Sequence, residues 1–222
     1  MGKDSEIPYG FESLLCRDKM NPTIDDPRLY SPQCTSLTPI KKVHENPWFC
    51  VFNRGGYFTI ENTRPQVLIL PIVGKSSVIM VRVRRPVIVD NTLELPAGGV
   101  NMNESPLEAA QRELSEETGI YIPVPKRFRL QAPLVLTARG PCLAHIFQIH
   151  LTQKEFDGRS KHDDEILSVE CFSFKEALKK IEKNEIYGSF QIAILTRFLL
   201  QSHQIMFAED IKKKRKTKCV KI

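Results

Sequence analysis

The feature that most constrains this chain of 222 residues is a glycine pair followed by an acidic segment with helix signals at both ends. Ser105 is a suitable N-cap, Pro106 suits the first helical position, and Glu108 completes a capping box. Gly119 provides the C-terminal stop. The sequence therefore predicts a helix with defined ends, which begins shortly after a tight turn where the backbone can approach a ligand closely.

Three glutamates project from one face of this predicted helix. Glu116 follows Glu113 by three residues and Glu117 follows it by four, so the carboxylates lie side by side. Like charges at that spacing destabilise a helix unless a cation lies between them, and oxygen-only ligands suit Mg²⁺ or Mn²⁺. Arg112 precedes Glu116 by one turn and can orient it. The pattern predicts a metal site, with a solvated, salt-bridged helix face as the alternative.

The spacing of these residues matches a known pattern. The segment resembles the box of the Nudix hydrolases, G-x5-E-x7-R-E-U-x-E-E-x-G-U, in which U is a bulky aliphatic residue. All nine defined positions are present, namely Gly98, Glu104, Arg112, Glu113, Leu114, Glu116, Glu117, Gly119 and Ile120. The resemblance implies an α+β fold, the Nudix α/β/α sandwich with a mixed sheet. It also implies hydrolysis of a nucleoside diphosphate linked to another moiety.

Flanking residues resemble the ADP-ribose pyrophosphatase-like branch of this family. The pair Arg85-Pro86 and the Glu-Leu-Pro-Ala run at 94–97 look like two elements of that branch. In such enzymes the carbonyl that corresponds to Ala97 often binds a metal. The segment that begins at Glu165 resembles a mobile loop that holds an acid over the site, as metal ligand or base. The alternatives are an exposed acid without a role, or a register that selects Asp163 or Asp164.

The resemblance also implies a set of roles within this site. The cofactor would be Mg²⁺, with Mn²⁺ as the alternative, held by Ala97, Glu113, Glu116, Glu117 and Glu165. The residues expected to support catalysis are Glu117, Glu116, Glu165 and Arg112. The favoured reaction is hydrolysis of ADP-ribose to AMP and ribose 5-phosphate. The alternatives are a pyrophosphatase for another nucleotide sugar or nucleotide cofactor, and a catalytically silent module that binds ADP-ribose or a protein.

Substrate-binding residues are expected on both sides of the box. Arg85 and Arg82 can clamp the second phosphate, because a guanidinium matches phosphate geometry. For Arg82 and Arg84 a charge ladder on an edge strand is the alternative. Trp48 is expected to stack on the base, with core packing as its alternative. The remaining candidates are Tyr57 or Phe58 for the base, together with Glu94, Gly98 and Arg139.

Arg139 marks a departure from the branch pattern that concerns the substrate. It lies in the segment 137–141, Thr-Ala-Arg-Gly-Pro, where this branch commonly carries Ser-Pro-Gly. A phosphate contact and a surface turn are both compatible with this arginine. The departure concerns the choice of substrate, because the metal-binding residues of the box are unaffected.

The charge of the chain divides into two parts. The formal net charge is +6, but residues 211–222 carry seven Lys and Arg and no acid, which leaves 25 basic and 26 acidic residues elsewhere. We therefore expect no nucleic-acid binding through the folded body, and a nucleic-acid-associated function through the tail is the alternative.

The position of Cys219, fourth from the end after a basic run, resembles the end of prenylated Ras-type small GTPases, although Lys221 departs from that pattern. The tail predicts membrane contact or a nuclear address, with a disordered end as the alternative.

Strand and helix signals predict one main domain with extensions. Residues 1–47 are predicted to be an irregular arm because prolines interrupt any regular pattern, and 48–64 to be N-terminal strands that serve a dimer or the substrate. A small N-terminal β-rich arm is therefore expected to precede the sandwich. The Nudix domain is expected over 65–207, as a mixed sheet with helices packed on it, and the basic tail over 208–222. The resemblance implies a homodimer. Six scattered cysteines without a CxxC pair, and no visible secretory signal, predict a cytoplasmic protein.

Overall fold

The computed structural model describes residues 34, 36–88, 90–141 and 143–201. The predictions for residues 1–33 of the arm lie outside these residues. So do those for the basic tail, including the membrane contact through Cys219.

A small antiparallel sheet comes first in the described chain. It consists of β1 (Ile40–Glu45), β2 (Phe49–Arg54) and β3 (Tyr57–Asn62), in that order. A turn at Gly55 and Gly56, both with positive φ angles, joins β2 to β3. The prediction of an irregular arm up to residue 47 is wrong for β1. This exposed strand lacks a strong apolar pattern and gains its order by pairing with β2.

The larger sheet contains seven strands within the described ranges. They are β4 (Gln66–Val73), β5 (Ser77–Arg85), β6 (Asp90–Glu94), β7 (Ala97–Gly99), β8 (Arg129–Val135), β9 (Leu143–Leu151) and β10 (Ile166–Ser173). The main path runs β10-β5-β4-β9-β8, with β6 paired to β5 and β7 paired to β4. The pair β4 and β9 is parallel and the other pairs are antiparallel. The predicted mixed sheet is confirmed.

Helices pack on both faces of this sheet. They are α1 (Pro106–Thr118), α2 (Gln153–Asp157), α3 (Phe174–Glu182) and α4 over residues 189–201. Val67 and Ile69 of β4 are buried in one cluster with Leu114 of α1. Leu68 and Leu70 alternate with them and are buried in a second cluster with α3 and α4. This alternation gives the α/β/α sandwich, and each large side chain stabilises it by roughly 1.5–3 kcal/mol.

Short strand β7 places the glycine turn beside α1. Its residues pair with Gln66, Val67 and Leu68 of β4, so the backbone at 97–99 lies at the sheet surface that α1 covers. None of the helices in the described ranges combines the length and apolar character that crossing a membrane requires.

Candidate active site

The helix α1 begins and ends at the predicted residues. The Ser105 hydroxyl accepts from the Glu108 amide, and the Glu108 carboxylate accepts from the Ser105 amide. At the other end Gly119 adopts a left-handed φ of 71° and donates its N–H to the Ser115 carbonyl. The predicted capping box and glycine stop are therefore confirmed, and they fix the helical phase of the acidic residues between them.

The Arg112 guanidinium connects the other charged residues of the box. It donates two hydrogen bonds to the Glu104 carboxylate, at 2.8 and 3.0 Å. Its Nη1 donates to Glu113 at 2.7 Å and to Glu116 at 2.8 Å, and its Nη2 donates to the Gly99 carbonyl at 2.8 Å. The bonds to Glu104 are the main reason that the pKa of Arg112 is raised and that of Glu104 is lowered. Arg112 thus ties the acidic helix face to the glycine turn.

Glu117 is half-buried and does not bond to Arg112. Its carboxylate accepts from the Ala97 amide at 3.0 Å. Burial raises the pKa of Glu117 to about 8, and the charges of Glu113 and Glu94 add to the increase, whereas the Ala97 N–H and Arg85 oppose it. Burial likewise raises the pKa of Glu113. Burial therefore opposes ionisation of both carboxylates.

Gly98 leaves the space that the Glu113 carboxylate occupies. A Cβ atom on Gly98 would lie 1.9 Å from Glu113 Oε1 and 2.1 Å from its Cδ, which is far inside van der Waals contact. The glycine is therefore required by close approach of a side chain. The structure places Gly98 against a predicted metal ligand, and its contact with substrate stays a prediction.

The oxygen donors on α1 fit a divalent cation. Within the part of the chain that the structure describes, no group of three or more His, Cys, Asp or Glu side chains is already arranged around a metal position. Arg112 holds one oxygen of Glu113 and one of Glu116, which leaves the second oxygen of each to another ligand. Desolvated carboxylates that repel one another are stabilised by Mg²⁺ or Mn²⁺, which prefer oxygen ligands. Metal binding by these residues, Glu117 and the Ala97 carbonyl stays a prediction.

Arg85 lies at the end of β5, beside the box. It forms a two-pronged pair with Glu94 at 2.7 and 2.8 Å, and the Thr92 hydroxyl donates to the same carboxylate at 2.5 Å. The bond to Glu94 is the main cause of the raised pKa of Arg85, and the charges of Glu117 and Glu165 contribute to it. One guanidinium therefore lies within electrostatic reach of acids from three separate elements. Its Nη1 is not part of the Glu94 pair and can bind a phosphate.

Arg82 is paired within the sheet. Its Nε donates to Glu170 of β10 at 2.7 Å, and its Nη1 donates to the Asn91 carbonyl at 3.1 Å. The edge-strand interpretation is wrong for Arg82, because β5 pairs with β10 on one side and with β6 on the other at this residue. Arg84 lies beyond the β10 pairing and is exposed, so the interpretation stays open for it. The structure gives Arg82 a cross-strand role, and a phosphate contact of this residue stays a prediction.

Glu165 is exposed in the turn that precedes β10. The Ile166 N–H donates to the Asp163 carbonyl at 3.1 Å, so Asp164 and Glu165 are the central residues of that turn. Asp164 pairs with Lys161 at 2.6 Å. The Glu165 charge contributes to the raised pKa of Arg85, whereas Asp164 is engaged by Lys161, so Glu165 is the better candidate of the two. Its position over the box stays a prediction.

The aromatic and Arg139 candidates lie around the small sheet. Trp48 exposes 75% of its surface, so the core-packing interpretation is wrong and base stacking stays a prediction. The Arg139 guanidinium lies 4.5 Å from the centre of the Tyr57 ring and donates to the Phe58 carbonyl at 3.0 Å. The Ile60 N–H donates to the Arg139 carbonyl at 3.0 Å. The Arg139 loop thus docks on β3, beside a groove of about 430 Å³.

A mixed sheet between helices, with a glycine turn leading into an acidic helix, defines the class of protein as an α+β sandwich of the Nudix type. The NUDIX domain profile matches residues 62–190, more than half of the chain, and the chain therefore belongs to the Nudix family.

Two characterised proteins share this similarity. The ADP-ribose pyrophosphatase of Bacillus subtilis (strain 168) is 28% identical over 123 residues, which cover 55% of this chain and 65% of that protein. The methanol dehydrogenase activator of Bacillus methanolicus is 26% identical over 139 residues, 61% of this chain and 72% of that protein. The matched region is thus less than two thirds of the length of the first relative.

The sequence does not predict which residues hold Arg85 in place. The carboxylate that holds Arg85, that of Glu94, is predicted only as a substrate contact, and Thr92 is not predicted at all. The alternation of Thr92 and Glu94 along β6 is the signal that places both on one face. Their common partner on β5 follows only from the register of the two strands.

Proposed function

We propose that the chain is a Nudix pyrophosphatase that hydrolyses ADP-ribose to AMP and ribose 5-phosphate, with Mg²⁺ as cofactor and Mn²⁺ as a substitute. The observation that carries the proposal is the complete box in one connected arrangement. Arg112 gathers Glu104, Glu113 and Glu116 at the glycine turn, while Glu117 lies against Ala97. The similarity to the Bacillus subtilis ADP-ribose pyrophosphatase supports the substrate.

The residues divide the chemistry between them. A cation held by Glu113, Glu116, Glu117 and the Ala97 carbonyl would neutralise the pyrophosphate and lower the pKa of the attacking water. Glu165, exposed beside the box, accepts a proton from that water as its oxygen bonds to phosphorus and the bridging P–O bond breaks. Arg112 keeps Glu113 and Glu116 oriented without contacting the substrate. The products are AMP and ribose 5-phosphate.

Arg85 is the residue best placed to bind the second phosphate. Glu94 holds its Nε and Nη2 and thereby fixes the plane of the guanidinium. A fixed plane reduces the entropy lost when Nη1 binds an anion. The base would lie near the small sheet, where Trp48 and Tyr57 are exposed. Arg139, stacked on Tyr57, supplies a positive charge at the same place.

The activity is tested directly with purified protein, Mg²⁺ and ADP-ribose, by chromatographic separation of AMP and ribose 5-phosphate. The variant Glu117→Gln should lose at least about 100-fold in kcat, because it removes a carboxylate charge from the proposed metal site. Glu182→Gln, the same substitution at an exposed position of α3, is the matched control. Full activity of Glu117→Gln would exclude the proposed site.

Another nucleotide sugar or nucleotide cofactor is the second candidate substrate. The observation that favours it is the Arg139 loop, which departs from the common Ser-Pro-Gly and places a guanidinium at the groove. A panel of ADP-ribose, other nucleoside diphosphate sugars and dinucleotide cofactors, compared by kcat/KM, distinguishes the two. A preference of about tenfold or more for ADP-ribose supports the first candidate.

We also propose a cytoplasmic homodimer that uses residues 48–64. Trp48, Phe58 and Ile60 expose large apolar surfaces in this segment. Sedimentation of the full chain tests the dimer, and Phe58→Asp should shift it toward the monomer. Membrane contact through Cys219 is a separate proposal, which intact-mass analysis after expression in a eukaryotic host tests. An unmodified mass would exclude lipidation.

A further inference from the structure

The loop between α2 and β10 is attached to the C-terminal end of the box helix. The Ser160 amide and hydroxyl both donate to the Gly119 carbonyl, at 2.9 and 3.0 Å. The Asp163 amide donates to the Glu116 carbonyl at 2.8 Å. Carbonyl groups at the end of a helix lack partners within it, and this loop supplies them. The loop therefore binds the helix that bears the box carboxylates.

The first of these contacts is too close for a side chain at residue 119. A Cβ atom on Gly119 would lie 2.1 Å from the Ser160 carbonyl oxygen and 2.8 Å from the carbonyl carbon. The left-handed φ of this residue already favours glycine. Gly119 thus has two functions, because it ends α1 and also admits the loop.

The second contact leaves only two residues before the sheet. Ile166 is buried at the start of β10, pairs with Val83 of β5 and donates its N–H to the Asp163 carbonyl. Asp164 and Glu165 therefore form a turn that is held at both ends. Asp163 attaches it to α1, and Ile166 attaches it to β5. Such a turn restricts the positions that the Glu165 backbone can adopt.

We propose that Ser160 and Asp163 are positioning residues, which hold the Glu165 turn against the end of the box helix so that this acid faces the site before substrate binds. Arg85 supports the assignment, since the charges of both Glu117 and Glu165 act on its guanidinium. The inference rests on the proposed function, because it requires a role of Glu165 in hydrolysis.

The test measures kcat and KM for ADP-ribose in variants of the full chain. Asp163→Pro removes the amide that reaches α1 and retains the carbonyl that accepts from Ile166, and Ser160→Ala removes the hydroxyl. We expect kcat to fall about tenfold in each while KM changes by less than about twofold, because misplacing a catalytic group affects mainly the reacting state. Ser160→Thr should restore kcat. The control is Lys161→Ala, which breaks only the exposed pair with Asp164.

A double-mutant cycle tests whether these residues act through Glu165. We expect Asp163→Pro to lower kcat in the wild-type background and to have no further effect when Glu165 is already replaced by Gln. Effects that multiply would overturn the inference, as would a fall in kcat that is matched by a fall in melting temperature. Full activity of Glu165→Gln would overturn it as well.

Hydrogen–deuterium exchange provides a readout that needs no turnover. The Asp163 amide should exchange slowly in the wild-type chain and faster in Ser160→Ala. Exchange as fast as that of an unprotected loop amide would overturn the attachment of the loop. The two proposals fail in different ways. A wild-type chain that hydrolyses no nucleoside diphosphate contradicts the proposed function, whereas an active chain that tolerates Asp163→Pro contradicts only the positioning role.

Discussion

Replacing Gly98 by Ala perturbs the site at a single defined contact. The added Cβ would lie 1.9 Å from Oε1, 2.1 Å from Cδ and 2.5 Å from Oε2 of Glu113. Since all three atoms belong to one carboxylate, the whole group has to move by more than about 1 Å to regain van der Waals contact. Glu113 also accepts from Arg112, so its displacement breaks that hydrogen bond.

The expected loss follows from this displacement. A shift of about 1 Å in a catalytic group reduces turnover about 100-fold, equivalent to roughly 2.7 kcal/mol of transition-state stabilisation. The assay is steady-state hydrolysis of ADP-ribose with saturating Mg²⁺. Gly99→Ala is the matched control, because its Cβ would meet its nearest neighbour, Gln66 Nε2, at an ordinary 3.6 Å. This control should keep its activity within about twofold.

Two results would refute the reasoning. One is equal activity of Gly98→Ala and the wild-type chain, which would mean that the Glu113 carboxylate is not needed at this position. The other would come from the double variant, in which Gly98→Ala is added to Glu113→Ala. Adding Gly98→Ala should then have little further effect, and a second large loss would show that the glycine acts through something other than Glu113.

Three further outcomes are expected. Burial lowers the pKa of His145 to about 4 from an ordinary 6.5, so the folded state binds this proton at a lower pH than the unfolded state does. The free energy of unfolding is therefore unaffected by this group above pH 6.5 and falls by about 2–3 kcal/mol toward pH 4.5. Urea titration at both pH values should show a smaller loss in His145→Gln. Arg112→Lys keeps the charge but cannot bond Glu104, Glu113 and the Gly99 carbonyl together, so kcat should fall at least about tenfold and the melting temperature should decrease. Arg139→Ala should raise KM for ADP-ribose about five- to tenfold with kcat little changed, and an unchanged KM would remove Arg139 from the binding site.

Local signals account for the parts of the fold that the sequence predicts correctly. The ends of α1 follow from Ser105, Glu108 and Gly119, because caps act within a single turn of chain. The strand β4 corresponds to a continuous apolar run in the sequence, which is typical of a strand buried on both faces of a sheet. The side-by-side carboxylates follow from helix geometry alone.

The remaining features depend on contacts between distant residues. Strand β1 has a weak pattern of its own and forms because β2 supplies its partners. The exposure of Trp48 is decided by what packs nearby, which composition does not indicate. The hydrogen bond from Ser160 to Gly119 joins residues 41 apart in the sequence. A glycine at a helix end does not indicate which loop packs against it. Tertiary pairing determines each of these features.

The carboxylates on α1 are proposed to form a metal-dependent pyrophosphatase site. The most direct measurement is AMP release from ADP-ribose by the wild-type chain and by Glu117→Gln, each with and without Mg²⁺. We expect turnover only for the wild-type chain with the cation, and a loss of at least about 100-fold in the folded variant. AMP release that persists without a divalent cation, or that Glu117→Gln retains in full, would contradict it.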